Sequence, residues 1–593
     1  MPQGILIAVK KFTMKFRNIS EMLHLLGNDK YKLPWIVLLF LLSSILDLAG
    51  IGLILPYISL IVNPEGFMHG SIYPYFILFG FPGEYEDLLF MLGYLLIAVF
   101  TLKTISAIFI NWIILHFCFN NGVKLRSSLM ALYQSVAYIE YVHRNSSEYI
   151  RNIQELANVF SQSVLQAYLR LISEIIVIIA ILLFLAYSNF VIFSTFFLLF
   201  FIIIFLYDVI FSKKLKRYGS KINNYSKFMV QGINEGFEGF KEIRTLQKEH
   251  FFHEKVVKNA KKYADKSIKS SLISMMPRFL IELILVVFVV FVVFYFVMYE
   301  NDLHDLLPLI SLFGVAALRL APSVNQIVSS ISRIRQGQNT VNLIFNDLNS
   351  LDLKLKDIST TGRDKYTEKF KSLEFFDISF SYPSVPSNVL NNMSLKICAG
   401  DAIGIVGLSG SGKSTLLDII LGLLEPTSGN IIYNSHKLVN SEIAFLRSQI
   451  AYIPQDIFIT DDTLRNNIAL GIIPSEIDND KIEKSLIFSK LSEVVDKLPD
   501  GVDTILGQKG RYFSGGQKQR VAIARAFYHD RNILLMDEST SALDKKTESE
   551  VVEEIHRLKG KETVIIISHN MKVLEFCSHI YKLNNGKLVK FNR

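Results

Sequence analysis

Long, nearly unbroken apolar runs fill the first half of the chain, and short alternating segments take over after residue 370. A bilayer core needs about 20 apolar residues in helical form. Six runs meet that length, at 33–62, 88–119, 164–186, 190–211, 272–299 and 306–330. Only Tyr187, Ser188 and Asn189 part the third from the fourth. The stretches 120–163 and 212–271 keep a helical spacing of apolar residues and lack Pro- or Gly-rich turns. That pattern predicts spans continued as helices beyond the membrane, each pair closed by a short bend, near 138–149 and near 235–244. After residue 370 the period changes. Residues 373–382 alternate as a strand, 402–406 read as a buried strand, and 416–424 read as an apolar helix. The fold class that follows is an all-α, six-helix membrane domain joined to an α/β domain. The expected boundaries are an interfacial N-terminal helix at 1–32, the membrane domain at 33–335, a linker at 336–370 and the α/β domain at 371–593.

Composition sharpens this division. Hydrophobic residues make up 50%, charged residues 20%, and the mean hydropathy is +0.34. Disorder, a fibrous repeat and a disulfide-stapled scaffold are excluded. Three cysteines, Cys118, Cys398 and Cys577, show no paired spacing and read as core residues. The net charge of +8 is distributed by loop. Lys10, Lys11, Lys15, Arg17, Lys30 and Lys32 precede the first run, whereas 63–87 holds Glu65, Glu84, Glu86 and Asp87 without Lys or Arg. Lys124, Arg126, Arg144 and Arg151 lie in 120–163, and 212–271 opens on Lys213, Lys214, Lys216 and Arg217. The loop 300–305 is again acidic. The positive-inside bias therefore puts both termini and the α/β domain in the cytoplasm, as in a multi-pass protein of a bacterial inner membrane. The basic N-terminal segment reads as an amphipathic helix on the inner surface rather than a cleaved signal.

The α/β half carries recognisable chemistry. The strand 402–406 runs into Gly407, Leu408, Ser409, Gly410, Ser411, Gly412, Lys413, Ser414 and Thr415, and a helix follows. G-x-x-x-x-G-K-S between strand and helix is a phosphate loop: backbone N–H groups and the helix N-terminus cradle phosphate oxygens. Lys413 then neutralises the β- and γ-phosphates, and Ser414 offers its hydroxyl to Mg2+. Downstream, a buried strand ends in Asp537 and Glu538. Asp537 is placed to hold Mg2+ through water, and Glu538 to act as base toward an attacking water. Between them, Ser514, Gly515, Gly516 and Gln517 open a second helix, again an anion-binding geometry. A second such cap serves best if it closes on nucleotide held by another subunit.

These residues together resemble the ATP-binding cassette (ABC) proteins. Residues 407–415 match the Walker A loop, 513–517 are similar to the L-S-G-G-Q signature with Phe513 in place of Leu, and 533–538 match Walker B with its catalytic glutamate. The resemblance implies roles for four further residues: Gln455 as the Q-loop glutamine, which is also a Mg2+ ligand, His569 as the switch histidine, Asp544 in the D-loop and Tyr382 stacking on adenine. Gln508 stands where many exporters carry a Glu that contacts the cytoplasmic bends. Six spans before one cassette resemble the exporter half-transporters. The implied protein is a homodimeric, ATP-driven exporter or flippase. ATP and Mg2+ would be its cofactors, a second copy of the chain and membrane lipid its partners, and nucleic acid would not be one.

Ionisable residues within spans are candidate substrate contacts. Asp47, Lys103, Arg170, Glu174, Arg278, Glu282 and Arg319 qualify. Arg170 with Glu174 and Arg278 with Glu282 have the spacing of helical ion pairs. Lys103 has no local acid, and Arg319 has no partner at helical spacing, so both are expected to face an anionic substrate such as a pyrophosphate; a salt bridge to Asp47 is the alternative. Residues 48–56, 318–325 and the aromatic outer loop 67–81 resemble the lipid-linked oligosaccharide flippases of the PglK type. That resemblance implies a lipid-linked oligosaccharide or similar amphipathic substrate, with the outer loop facing lipid. Export of a peptide, bacteriocin or drug, and an ABC-type channel or regulator, are the competing readings.

Overall fold

The computed structural model describes residues 19–591, apart from 63, 69–72, 79–81, 83, 189, 300–302, 356–368, 384–386, 440–441, 539–544, 558–559 and 561. The chain divides into two compact units. One comprises residues 1–136 and 144–353; the other comprises Ala137–His143 and Lys354–Arg593.

The described residues of the first unit are built into helices. Its long helices are α1 (Leu33–Val62) and α2 (Tyr85–Gln134), and beyond the short helix α3 (Tyr138–His143), which groups with the second unit, come α4 (Gln166–Ser188) and α5 (Phe190–Glu238). The short α6 (Phe240–Thr245) separates α5 from α7 (Glu249–Tyr299), and α8 (Leu303–Leu355) closes the unit. The segments Gly27–Val62, Tyr85–Gln134 and Ser146–Tyr187 are, among the described residues, long and apolar enough to cross a membrane. The remaining three apolar runs lie within α5, α7 and α8, of 49, 51 and 53 residues. At 1.5 Å rise per residue, each of these spans roughly 75–80 Å, more than twice a bilayer core of about 30 Å. The bends fall at α3 and α6. The helix of the last span does not stop at 335 as the sequence suggests; it continues to Leu355, because 336–355 keeps a helical apolar stripe that buries Val341 and Ile344. The basic segment 1–18 and the turn residue 189 lie outside the described residues, as do residues 300–302 of the acidic loop.

Gly219 of α5 lies against the backbone of Gln336 on α8, so close that any side chain at 219 would push the helices apart. Between α3 and α4 the chain winds as two π-helical turns, Asn152–Leu156 and Val159–Leu165, a geometry usually retained at functional positions. Phe67 is buried with Leu60, Leu88 and Leu92, and its ring meets Tyr73 and Phe76 at 6.4 and 5.9 Å. Phe67, Tyr73 and Phe76 thus share a small local core, while Ile77 and Leu78 beside them are exposed, at 43% and 80%; the side chains of Tyr75, Phe79 and Phe81 lie outside the described residues.

The second unit carries two sheets. An antiparallel sheet runs in the order β2–β1–β4–β5, built from β1 (Ser372–Phe380), β2 (Leu390–Cys398), β4 (Ser428–Tyr433) and β5 (His436–Lys437). The larger sheet runs β10–β9–β3–β8–β7–β6, from β3 (Ala402–Gly407), β6 (Ile450–Ile453), β7 (Ile533–Asp537), β8 (Thr563–Ile567), β9 (His579–Asn584) and β10 (Lys587–Lys590). Strands β9, β3, β8, β7 and β6 are parallel. Helices cover both faces of a parallel sheet, so its strands read as continuous apolar runs. Accordingly β8 is buried at all five positions and β7 at its first four. Ile403, Ile405, Ile533, Leu535, Ile565 and Ile567 fill one side of the sheet, and Leu534, Met536, Val564 and Ile566 fill the other. Each such side chain contributes about 1.5–3 kcal/mol by leaving water.

Candidate nucleotide site

Register delivers the site. Strand β7 pairs with β8 so that Asp537 lies opposite Ile567, and β3 pairs with β8 so that Ile405 lies opposite the same residue. Strand β6 pairs Ile453 with Met536. The carboxyl ends of four neighbouring strands thus release Gly407, Gln455, Glu538 and His569 on one edge of the sheet, the edge where open α/β sheets bind ligands.

The first of these ends becomes the phosphate loop. Helix α9 (Lys413–Ile420) begins at Gly412, whose φ of 99° a side chain would resist, and no side chain caps its first turn. At Gly407 a Cβ would stand 2.7 Å from Ser411 Oγ and 2.8 Å from the carbonyl of Leu583, so glycine is required for the loop to close. Lys413 Nζ donates to the carbonyls of Gly407 and Leu408 at 2.7 and 2.9 Å, which arches its side chain over the loop. Ser411 Oγ is buried with no protein partner. Open amides, an unpartnered hydroxyl and an ammonium converge as an anion cradle requires. Tyr382 Oη lies 3.2 Å from Thr415 Oγ1, and its ring packs edge-on against Phe380 at 5.0 Å.

Beside the cradle, the carboxylate of Glu538 is held from two directions. Gln455 Nε2 donates to one oxygen at 3.1 Å, and His569 Nδ1 lies 3.2 Å from the other. Glu538 adopts a φ of 45°, a strained value for a residue with a side chain, and its N–H donates to Ile567 at 2.9 Å. Three residues more than 30 positions apart in pairs therefore meet at one carboxylate.

The adjacent acids crowd one another. Asp537 is pushed above the usual carboxylate range, first by burial and then by Glu538, against the pull of Lys413 and a hydrogen bond from Tyr452. Asp418 on α9 is raised to about 6 by burial and by Asp537. Asp418, Asp537 and Glu538 with a single lysine leave an excess of negative charge that a divalent cation would neutralise. Among the described residues no three His, Cys or acidic side chains form a cation cage. A cation here would thus depend on phosphate oxygens as well as on Ser414 and Asp537, which suits Mg2+. Sequence reasoning passed over Asp418 and Tyr452. The first is hidden on the inner face of the helix after the phosphate loop. The second sits three residues before Gln455, where the strand alternation alone could have pointed to it.

The second helix opening stands apart from this trio. Helix α10 (Gly515–Tyr528) is capped by Ser514, whose Oγ accepts from the Gln517 N–H at 3.2 Å, while the Gln517 side chain accepts from the Ser514 N–H at 2.8 Å. This capping box fixes the turn. Ser514 and Gly515 are exposed. Asp544 and Ser541 lie outside the described residues.

In the membrane unit, the unpaired-cation expectation does not hold. Asp47 on α1 is buried and accepts from Arg319 Nε and Nη2 of α8 at 3.2 and 3.0 Å. Lys103 of α2 joins the same carboxylate at 2.8 Å. Arg319 also donates to Ser323 at 3.1 Å and stands 3.9 Å from Glu174 of α4. The reason is energetic: a cation in a low-dielectric interior is stable only when paired, and partners across helices serve as well as those at helical spacing. The side chain of Arg278 lies outside the described residues.

Comparison with known proteins agrees with this geometry. Residues 390–541 match the ABC transporter family model. An ATP-dependent lipid A-core flippase 2 of Colwellia psychrerythraea is 26% identical over 509 residues, covering 84% of each chain. An ATP-dependent lipid A-core flippase of Ralstonia nicotianae is 26% identical over 525 residues, covering 86% of each chain. In fold, a bacterial Atm1-family ABC exporter with ATP bound matches with a TM-score of 0.73 at 19% identity, over 92% of this chain and 94% of that one.

Proposed function

We propose that this chain, an ABC half-transporter by the likeness of its cassette and of most of its length to such proteins, forms a homodimer that flips an amphipathic lipid with a polar, saccharide-bearing head across a bacterial inner membrane. ATP hydrolysis coupled to transport is the activity of this arrangement. The observation that carries the reading is the likeness to lipid A-core flippases over more than four-fifths of both chains, membrane helices included.

In this mechanism the phosphates lie on the loop 407–415, with Lys413 against the β- and γ-phosphates and the Tyr382 ring against the base. Mg2+, held by Ser414, Asp537 and Gln455, would screen the charge of the phosphates. Glu538 takes a proton from the attacking water. Gln455 and His569 orient its carboxylate, and a carboxylate held from both sides loses little entropy at the moment of reaction. The exposed turn of Ser514, Gly515 and Gly516 closes on nucleotide held by the second copy, with Asp544 beside it. Six spans, both termini inside and cassettes in the cytoplasm complete the topology. Because Arg319 and Lys103 are already paired with Asp47, the head group is read as polar and saccharide-bearing without requiring a pyrophosphate.

The test is ATP-dependent movement of fluorescent lipids in proteoliposomes. A labelled lipid A-core glycolipid and a polyprenyl-pyrophosphate glycan would be compared with a labelled peptide and a hydrophobic dye. Stimulation of ATP turnover and flipping by a glycolipid is expected. Movement of peptide or dye alone would replace this reading with that of a peptide or drug exporter.

A further inference from the structure

The cassette unit includes a seven-residue piece of the helical half: Ala137–His143, essentially α3, clusters with residues 354–593. Tyr138 and Ile139 pack on the apolar core of that unit beside Tyr382, Leu423 and Tyr452. The chain thus joins the cassette unit at two places, once through α3 and once after α8. What links these two junctions is a single carboxylate within the helical unit.

Asp347 lies on α8, two turns before the helix ends. Its Oδ2 accepts from Tyr133 Oη at 2.6 Å, from Arg144 Nη2 at 2.9 Å and from Asn152 Nδ2 at 2.9 Å. Tyr133 is on the last turn of α2, immediately before α3, and Arg144 is the first residue after α3. A residue before α3 and a residue after it therefore bond to one atom. Asn152 opens the first π-helical turn, is 2% exposed, and also donates to Tyr133 Oη at 3.0 Å. The guanidinium of Arg144 lies 4.9 Å from the Tyr149 ring, and its Nε reaches Glu148 at 3.2 Å. Glu148 is in turn paired with Lys227 of α5. The cluster is largely buried, with Tyr133 and Tyr149 each 8% exposed. Buried networks of this kind are rigid when every member is satisfied, and lose far more than one bond when the shared acceptor is removed.

We propose that Asp347 is a positioning residue for energy coupling: it locks the base of α3 to the end of α8, so that both junctions with the cassette move as one body when nucleotide binds. The inference rests on coupled transport and not on the identity of the lipid. It requires no contact between Asp347 and nucleotide or substrate.

Hydrogen exchange on the full chain in lipid nanodiscs, with and without Mg-ATP and vanadate, tests it alongside ATP turnover. In the unaltered protein, peptides covering 137–143 and 340–350 are expected to change exchange together. In Asp347→Ala, turnover stays within about twofold of the unaltered protein, the nucleotide-dependent change at 137–143 persists, and that at 340–350 falls at least fivefold. Tyr133→Phe and Asp347→Asn, which remove one bond or only the charge, give smaller losses at 340–350 and keep the result readable if the alanine variant does not fold. A response at 340–350 that is undiminished in all three variants would overturn the proposal. So would an unaltered protein whose two segments respond independently.

Discussion

The two units hold their charges by opposite means. In the cassette, Asp418, Asp537 and Glu538 lie close together with a single lysine among them, and burial first, then the neighbouring acid, raises Asp537 and Asp418 above the usual carboxylate range. In the helical unit, Asp47 gathers Arg319 and Lys103 into one closely paired set. One region concentrates like charge beside a phosphate loop. The other neutralises charge internally, by pairing Asp47 with cations from two further helices. Unsatisfied charge marks the chemistry of this protein; satisfied charge marks its architecture.

The largest test of this contrast is Glu538→Gln. It keeps size and hydrogen bonding but removes the base, so ATP binding should persist while turnover falls roughly 10^2- to 10^3-fold, by the scale on which single catalytic groups act. Equilibrium binding of labelled ATP and phosphate release measure the two arms, and near-normal turnover would remove the assignment. Next comes Asp47→Ala, which strands two cations between helices and should destabilise the helical unit by about 3 kcal/mol. A fall in melting temperature in detergent reads this. Replacing Asp47 by Asn together with Lys103→Met and Arg319→Met should recover most of it, since uncharged packing of similar volume replaces ion pairs at little cost. If the triple variant is instead less stable than Asp47→Ala, pairing is not what the charges are for.

Gly407→Ala should weaken ATP binding by about tenfold or more, because relieving the clash with Ser411 and Leu583 means distorting the loop, at a cost on the order of 1–3 kcal/mol. Titration calorimetry checks it. The smallest effect is that of Ser514→Ala. Loss of the cap should cost about 1 kcal/mol locally, visible as faster hydrogen exchange in the first turn of α10 in nucleotide-free protein. An equal effect on Glu538 or His569 would show that the two anion-binding turns are already coupled within one chain.

The legibility of the site follows the same division. Gly407, Gly412, Lys413, Asp537 and Glu538 were readable because each stands at the end of an apolar strand or the start of a helix, and backbone geometry restricts which residues can stand there. Asp418 and Tyr452 were not, because their importance comes from facing Asp537, and facing is a product of register. The aromatic loop 67–81 was readable as apolar, but the burial of Phe67 was not. Phe67 looks the same in sequence whether its ring meets lipid or Tyr73.

Sequence by itself determined the two-part architecture, the helical continuation of the spans beyond the membrane, and the nucleotide chemistry at the strand ends. Hydrophobic period and local backbone requirements are properties of neighbouring residues, so these could be read along the chain. Only the tertiary structure decided that Asp47 answers both Lys103 and Arg319, that Gln455 and His569 converge on Glu538, and that Asp347 gathers Tyr133, Arg144 and Asn152. Those are meetings of residues up to 272 positions apart, and Coulomb and hydrogen-bond energies depend on distance in space, which spacing along the chain does not report.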